Sequence, residues 1–490
     1  MCLTDFPARR ASSGLYSNRG ARMIPRLPSP WTLLLLLPQL LGAAPQPDPA
    51  RVASLKKTAI PVRSIDPEDA DFTDLLPLRR LIGQARIVGL GEQSHGDGAT
   101  LRAKVRLVRF LHEKMGFNLL AWESGLYDCE QMDRALRSDV PIEQASATGV
   151  FRVWSRSGQV RPLFEYVRST HGTKRPLRMT GFDMQISSPR TYATFARHLF
   201  EFLDRFDAGA LSSESRGSVQ ELLLALPRVE KYQPVPEQRQ RYRAAVERGI
   251  EGLALSPRRG ALPREEAFWN RALRNLLIRE EQIRGLFEEG KFKNSPALGN
   301  LRDRTMAEIL LWLAREYYPK EKIILWAASF HLVRNQAAID TRTLSIDYKA
   351  TETMGNLVWK ALGERMYTIA FTAFQGKAGA SSTTPWTREL QTPPEDSLEA
   401  VWYATGATYA YLDLRKLPKD HWLRKPVLSG PLGYSLMSAA WPDHFDAVFY
   451  TDTMVPNTQD ASGPQAVERT KPQAQPAPHP HRIMLASPSP

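Results

Sequence analysis

The chain has 490 residues, a formal net charge of +13 and an apolar fraction of 42%, with 37 Pro and 2 Cys. This composition is globular, because a disordered chain of this length has fewer apolar and aromatic residues. Two cysteines without partners at ligand spacing exclude a disulfide scaffold, a Cys-rich metal module and a redox dithiol. The sequence has no basic block with interleaved aromatic residues, so we expect no nucleic-acid binding.

Residues 1–45 are predicted to be an over-extended gene start followed by a signal peptide. If Met23 is the true start, a short basic segment precedes an apolar core at 31–41, and small residues suitable for cleavage follow at 42–44. The core is too short to span the ~30 Å of membrane hydrocarbon as a helix, and Pro38 interrupts it. We expect an exported protein, periplasmic or extracellular, with no stable membrane insertion after the signal is cleaved.

The rest of the chain is predicted to form one domain between two irregular segments. Residues 46–60 are expected to be a linker, and residues 61–455 an α/β domain. Residues 456–490 are rich in Pro, Gln, Ala and Ser without periodicity, which predicts a disordered tail. The sequence predicts no oligomeric state.

Short apolar runs alternate with amphipathic helical patterns inside the predicted domain. Such runs suit a sheet buried on both faces, so we predict an α/β fold with a mostly parallel buried sheet and flanking helices. Residues 190–317 break the alternation with consecutive helical patterns, which predicts a large helical insertion able to cap an active site. The apolar runs are RIVGLG (86–91), FNLLAWE (117–123), LRMTGFD (177–183), KIILWAAS (322–329), MYTIAFTAF (366–374), TYAYLDL (408–414) and DAVFYT (446–451).

Common catalytic motifs are missing from the sequence. It contains no G-x-S-x-G elbow, no G-x-x-x-x-G-K-[ST] loop and no H-E-x-x-H pair. The segment after the first strand partly resembles a dinucleotide fingerprint, but Ser94 replaces the third glycine and Glu92 would repel a pyrophosphate. We therefore do not predict nucleotide binding.

Ionisable residues follow four successive apolar runs. Glu92 and His95 come after the first run, Glu123 closes the second, Asp183 closes the third, and His331 lies just past the fourth. The carboxyl ends of parallel strands share one edge of a sheet, where ligands bind, so these side chains should converge. Burying several acids and imidazoles together is costly without a task or partners, which points to a functional site.

The motifs at these positions carry a family resemblance that extends in order over about residues 80–455. The chain resembles the erythromycin esterase family, which implies a hydrolase that opens a macrolide lactone by water attack, without a serine acyl-enzyme. The segments that carry the resemblance are GLGEQSHG (89–96), AWESG (121–125), GFD (181–183), LWAASFH (325–331) and YTDTMVP (450–456).

The resemblance also implies roles for individual residues. His95 matches the family histidine expected to act as general base on water, and Glu123 matches the glutamate that orients or helps to activate this water. His331 matches the second histidine, and Glu92 the acid of the first block. Lys104 stands where the resistance enzymes often have Arg; it keeps the charge but loses the bidentate fork, so oxyanion or substrate anchoring is expected to differ.

Secondary candidates are Asp183 and Arg302. Arg302 belongs to a segment that resembles the family's R-x-x-x-M-A-x-N helix, in which Glu308 stands where Asn is usual. If Glu308 faces the site, the local charge and the choice of substrate differ; the alternative is an exposed helix residue. Oxyanion donors open at this stage are Lys104, protonated His331 and backbone N–H groups after Gly91.

Two other functions remain open from the sequence. The same His and carboxylate residues could hold a divalent metal that activates water for hydrolysis. Alternatively, the sheet architecture is similar to that of haem-binding lipoproteins, and an exported protein could carry such a ligand without catalysis. Our preferred prediction is a metal-independent and cofactor-free hydrolase that acts on a small-molecule ester.

Overall fold

The computed structural model describes most of the chain between residues 46 and 459. The predicted signal peptide and residues 460–490 of the predicted tail lie outside the described residues. Within the described part, no helix has the length and apolar character needed to cross a membrane. The stretches between 46 and 459 that are not described are 207–210, 255–262, 289–290, 292–294, 343–347 and 380–386.

Strands and helices alternate along the described chain. The strands are β1 (Ile60–Pro61), β2 (Ile87–Leu90), β3 (Leu119–Gly125), β4 (Arg178–Asp183), β5 (Ile323–Trp326), β6 (Met366–Gly379), β7 (Thr387–Glu389), β8 (Tyr409–Asp413), β9 (Val427–Ser429), β10 (Met437–Ala439) and β11 (Ala447–Met454). The α-helices are α1 (Pro49–Thr58), α2 (Leu76–Ile82), α3 (Gly98–Met115), α4 (Leu126–Leu136), α5 (Ile142–Ser146), α6 (Arg152–Ser155), α7 (Arg161–Thr170), α8 (Pro189–Phe206), α9 (Ser213–Ala225), α10 (Pro236–Ala254), α11 (Pro263–Leu286), α12 (Pro296–Trp312), α13 (Ser329–Leu332), α14 (Met354–Leu362) and α15 (Leu398–Tyr403).

Nine of the described strands form the main sheet. Their order is β1-β8-β11-β6-β2-β5-β3-β4, and β7 pairs with the C-terminal end of β6. The strands from β11 to β4 are parallel to their neighbours, whereas β8 runs antiparallel to β11 and β1. Each apolar run named from the sequence lies in this sheet, which confirms the prediction of an α/β fold with a mostly parallel sheet.

Each face of the sheet is covered by its own hydrophobic core. Successive residues of a strand point to opposite faces, so Ile87 packs in one core and Val88 in the other, and Leu119 and Leu120 divide in the same way. Helix α3 contributes to the second core through residues such as Val105. Burial on both faces explains why these strands read as continuous apolar runs in the sequence.

The helical insertion lies between β4 and β5, as the sequence predicts for residues 190–317. Among the described residues it comprises helices α8 to α12. Leu199, Leu222 and Leu273 from three of these helices belong to the core on the first face of the sheet. The insertion therefore packs directly on the sheet and places α12 near the strand ends.

Both ends of the domain extend further than the sequence indicates. Residues 46–60, predicted to be a linker, contain α1, whose Leu55 is fully buried. A single buried leucine among small and charged residues gives no periodic pattern, which is why this packed helix reads as a linker. At the other end, Oδ1 of Asn457 accepts a 2.6 Å hydrogen bond from the hydroxyl of Ser157, so packed structure continues past the predicted start of the tail.

Candidate active site

Four neighbouring parallel strands, in the order β2, β5, β3 and β4, end at the same edge of the sheet. Strand β2 leads into the turn with Glu92 and His95, and β5 leads into the short helix α13 with His331. Strand β3 contains Glu123, and β4 ends at Asp183. The residues that the sequence places at separate strand ends are therefore brought to one edge.

His95 and Lys104 bind different oxygens of the Glu92 carboxylate. The Nδ1 of His95 lies 2.6 Å from Oε1 of Glu92, and the ammonium group of Lys104 donates to Oε2. Because a carboxylate only accepts hydrogen bonds, the neutral ring carries its proton on Nδ1 and its lone pair on Nε2. The ring packs edge-on against Trp154 at 5.0 Å between centroids. This is the tautomer that a general base requires, with an acid placed to stabilise the imidazolium.

Lys104 is fully buried on α3. Its Nζ lies 4.2 Å from the ring centroid of Trp326 and 3.4 Å from the carbonyl oxygen of Ala327, besides its bond to Glu92. Burial lowers the pKa of Lys104, and the attraction of Glu92 offsets this only in part. The structure thus places Lys104 as the counter-ion of Glu92, whereas the sequence predicts a donor to the oxyanion or the substrate.

The turn that carries His95 is held by a second buried acid, Asp97. Its Oδ2 accepts hydrogen bonds from the hydroxyl of Tyr434 at 2.7 Å and from the backbone N–H of Ser94 at 3.0 Å. Burial raises the pKa of Asp97 to about 7. Tyr434 has a φ of 62°, a left-handed conformation that a non-glycine residue keeps only when its surroundings hold it there. This contact is not predictable from local sequence patterns, because the two residues are 337 positions apart.

Arg302, on α12 of the insertion, joins three of the predicted site residues. Its Nε and one terminal nitrogen donate to Oδ2 of Asp183 at 3.0 and 2.6 Å, and the same terminal nitrogen lies 2.8 Å from Oε1 of Glu123. The other terminal nitrogen lies 3.1 Å from Nε2 of His331. All of these side chains are buried. Arg302, only a secondary candidate in the sequence, is therefore at the centre of the site.

His331 lies between two carboxylates. Its Nδ1 is 2.9 Å from Oδ1 of Asp303, and its Nε2 is 3.2 Å from Oε1 of Glu123. Burial lowers the pKa of His331, but the two carboxylates raise it more, to about 10. With this pKa the ring is an imidazolium at neutral pH; its Nδ1–H donates to Asp303, and its Nε2 lies between Glu123 and Arg302. Asp303 was missed in the sequence, where nothing distinguishes it from an exposed helix acid.

Both oxygens of Glu123 are bound. Oε1 faces Arg302 and His331, and Oε2 accepts a 2.8 Å hydrogen bond from the backbone N–H of Ala328. Burial raises the pKa of Glu123, but the charges of His331 and Arg302 hold it well below its ordinary value. The backbone after β5 links the two groups, because Lys104 lies 3.4 Å from the carbonyl oxygen of Ala327 and the next N–H, that of Ala328, donates to Glu123.

The side chains of the site are shielded from solvent. The residues of the two groups are all buried, and His331, the most exposed of them, has 8% of its surface accessible. Glu308, which stands where the family pattern has Asn, lies outside the site. Its side chain is 64% exposed and lies 3.7 Å from Arg271, so it does not alter the charge inside the site.

The Arg302 guanidinium bridges the carboxylates of Glu123 and Asp183. It binds one oxygen of each carboxylate. Across the residues that the structure describes, no group of three His, Cys, Asp or Glu side chains is arranged to hold a metal ion. The acids proposed as metal ligands thus already share a cation from the protein itself.

A buried histidine held by a carboxylate thus lies at the C-terminal edge of the parallel sheet, where α/β folds bind ligands. A family model described as erythromycin esterase matches residues 112–459, and the chain belongs to the erythromycin esterase family, a family of hydrolases. The match includes Glu123, Arg302 and His331, whereas the Glu92–His95 turn precedes it.

Curated relatives cover most of the chain. It is 25% identical over 454 residues to "Putative hydrolase YbfO" of Bacillus subtilis (strain 168), covering 89% of this chain and 99% of that protein. It is 20% identical over 391 residues to erythromycin esterase type II of Escherichia coli, covering 75% of this chain and 89% of that protein.

Solved structures share the fold. A succinoglycan biosynthesis protein superimposes with a TM-score of 0.66 at 18% identity, covering 83% of this chain and 97% of that one. A mutant of the erythromycin esterase EreC in its open conformation gives a TM-score of 0.64 at 20% identity, covering 82% and 99%. At these identities the likeness shows a common fold.

Proposed function

We propose that the protein hydrolyses a carboxylic ester or a macrolide lactone by attack of a water molecule that His95 activates. The observation that carries the proposal is the 2.6 Å contact between Nδ1 of His95 and Oε1 of Glu92, because it leaves Nε2 as the proton acceptor. Membership of the erythromycin esterase family supports hydrolysis, and the name of the Escherichia coli relative supports an ester as the bond that is cleaved.

In the proposed reaction, Nε2 of His95 takes a proton from water while the water oxygen attacks the ester carbonyl carbon. Glu92 stabilises the imidazolium that forms. Arg302 and the imidazolium of His331 are the cations closest to Glu123, and we assign them to the developing oxyanion. The bond between the carbonyl carbon and the alcohol oxygen then breaks, and His95 returns its proton to the alcohol oxygen. The acyl group thus gains OH and becomes the acid, and the alkoxy group gains H and becomes the alcohol.

Turnover of a substrate panel tests this function. The protein is incubated with 4-nitrophenyl butyrate, other aryl esters and erythromycin, with and without EDTA. Mass spectrometry then measures the masses of the products. We expect the products of at least one substrate to account for the addition of one water, with the rate unchanged after exhaustive chelation. No turnover of any substrate by folded protein contradicts the proposal. Loss of activity on chelation, restored by a divalent metal, supports the metal-dependent alternative instead.

We also propose that the protein acts outside the cytoplasm. The support is the apolar core at 31–41 followed by small residues at 42–44. Expression in a bacterial host, followed by N-terminal sequencing of the exported fraction, should give a mature chain that begins close after residue 44. A protein that stays in the cytoplasm with an intact N-terminus contradicts export without affecting the proposed reaction.

A further inference from the structure

Helix α11 of the insertion presents a polar face to Asp183. Asn275 and Arg279 lie one helical turn apart on this face, and both are buried. Asn275 lines a cavity of about 20 Å³ together with Asp183, Gln185 and Thr191. Within the described part of the chain, Oδ1 of Asn275 and Nε of Arg279 are buried without a hydrogen-bond partner. This face therefore has unused hydrogen-bonding capacity beside the site.

Arg279 is a buried cation that lacks a matching anion. It is 9% exposed, and it donates to the neutral Oε1 of Gln282 on its own helix. No carboxylate among the described residues forms an ion pair with it. The carboxylate of Asp183 already binds two nitrogens of Arg302. Because charges that leave water are normally paired, the Arg279 position calls for an anion from outside the chain.

We propose that Arg279 binds a carboxylate of the substrate, so that the preferred substrate is an ester that also carries a free carboxylate group. This inference rests on the proposed function. A planar guanidinium matches a carboxylate with two parallel hydrogen bonds, and one unmatched guanidinium neutralises one charge, which favours a monoanion over a phosphate dianion. Arg279 lies one helical turn from Asn275, which shares a cavity with Asp183, so a substrate carboxylate held there places its ester on the side of Asp183 and Arg302.

Two esters of nearly the same shape test the inference. The first is 4-nitrophenyl butyrate, whose acyl chain ends in a methyl group. The second is 4-nitrophenyl hemisuccinate, which has a carboxylate in place of that methyl group. We expect the wild type to prefer the hemisuccinate, and Arg279→Gln and Arg279→Met to lower kcat/KM for it by about 30-fold or more. The butyrate rate should stay within about twofold. The control is Arg274→Gln, an exposed arginine on the same helix, which should change neither rate.

Folding of the variants is checked separately. Arg279→Met replaces an unpaired buried charge with an apolar chain of similar length, which is often neutral for stability. Arg279→Lys keeps the charge without the fork, so it should retain part of the preference for the hemisuccinate. Circular dichroism and thermal unfolding of each variant separate loss of binding from loss of fold.

The outcomes distinguish this inference from the proposed function. Turnover of the butyrate without preference for the hemisuccinate, or equal loss of both rates in the folded Arg279 variants, overturns the inference and leaves the proposed function in place. No turnover of either ester counts against the proposed function, and calorimetric titration with succinate then decides on Arg279. Succinate binding that Arg279→Gln abolishes supports the carboxylate site, whereas binding that both proteins share or both lack overturns it.

Discussion

Arg302 donates two hydrogen bonds to Oδ2 of Asp183, at 3.0 and 2.6 Å. Asp183 is the last residue of β4, and Arg302 belongs to the helical insertion, so this pair connects the insertion to the edge of the sheet where the site lies. Arg302 also binds Glu123. The contacts that attach the insertion to the sheet edge are thus the same contacts that neutralise the acids of the site.

The first prediction concerns Arg302. Arg302→Met leaves the carboxylates of Asp183 and Glu123 without their shared cation, so we expect the free energy of unfolding to fall by about 3–5 kcal/mol. We expect ester hydrolysis to fall by about 100-fold or more, because a donor to the oxyanion is lost. Urea unfolding and the ester assay measure the two effects. Arg304→Gln, an exposed arginine on the same helix, is the control and should stay within about 0.5 kcal/mol of wild type. A variant at position 302 as stable as wild type would contradict the role of this contact.

The second prediction concerns the buried pair of Lys104 and Glu92. Lys104→Met leaves Glu92 as a buried carboxylate without its lysine counter-ion, and we expect a loss of about 3–5 kcal/mol in the free energy of unfolding. Combining it with Glu92→Gln should recover part of this loss, because no unpaired charge remains. A double-mutant cycle by chemical unfolding measures the coupling, and additive losses would show that the two residues are independent.

Replacement of Lys104 by arginine provides a separate test at the same position. Lys104 is fully buried against Trp326, so the larger guanidinium of Lys104→Arg should overpack this site and cost about 1–3 kcal/mol. The measurement is again chemical unfolding. Unchanged stability would mean that the space around Trp326 adapts without cost.

The third prediction is a pH dependence of stability that arises from His331. Its pKa is about 10 in the folded protein against an ordinary value of 6.5. Below about pH 6.5 the ring is charged in both states and the stabilisation by its carboxylate neighbours is fully present. As the pH rises through 10, the folded state loses the extra proton and this stabilisation disappears. Wild type should therefore lose stability between about pH 7 and 10 more steeply than His331→Asn.

Asp303→Asn is the matched variant for this pH dependence. It removes the charge next to Nδ1 of His331, which should lower the pKa of that ring and move the decline in stability to lower pH. Urea unfolding at several pH values measures wild type and both variants. A stability difference between wild type and His331→Asn that does not change with pH would show that His331 is not held as an imidazolium.

The fold was predictable because burial on both faces leaves a strong signal. The strands that form the parallel part of the sheet read as apolar runs, and the insertion helices carry amphipathic patterns. The order of the strands was not predictable: β5 lies between β2 and β3 although the whole insertion separates it from them in sequence. Such pairing depends on long-range packing, which local patterns do not report.

The site was predictable in part for a similar reason. Glu92 and His331 follow strand ends, Glu123 lies near the C-terminal end of β3, and parallel strands bring these ends together. The sequence could not reveal that Lys104 faces Glu92, because a position on a helix does not identify the neighbour it meets. Asp303 follows Arg302 directly, but only the position of α12 against the sheet brings it to His331.

The most direct test of the account is hydrolysis of an ester in ¹⁸O-labelled water by wild type and by His95→Ala. We predict that wild type, in a single turnover, places one labelled oxygen in the acid and none in the alcohol. His95→Ala should fold and lose at least about 100-fold in rate. The control is His198→Ala, which should keep full activity. His198 is a half-buried histidine of the insertion that forms a hydrogen bond with Tyr127 on α4. Near wild-type turnover by His95→Ala, or an unlabelled acid in the first turnover, would contradict activation of water by His95.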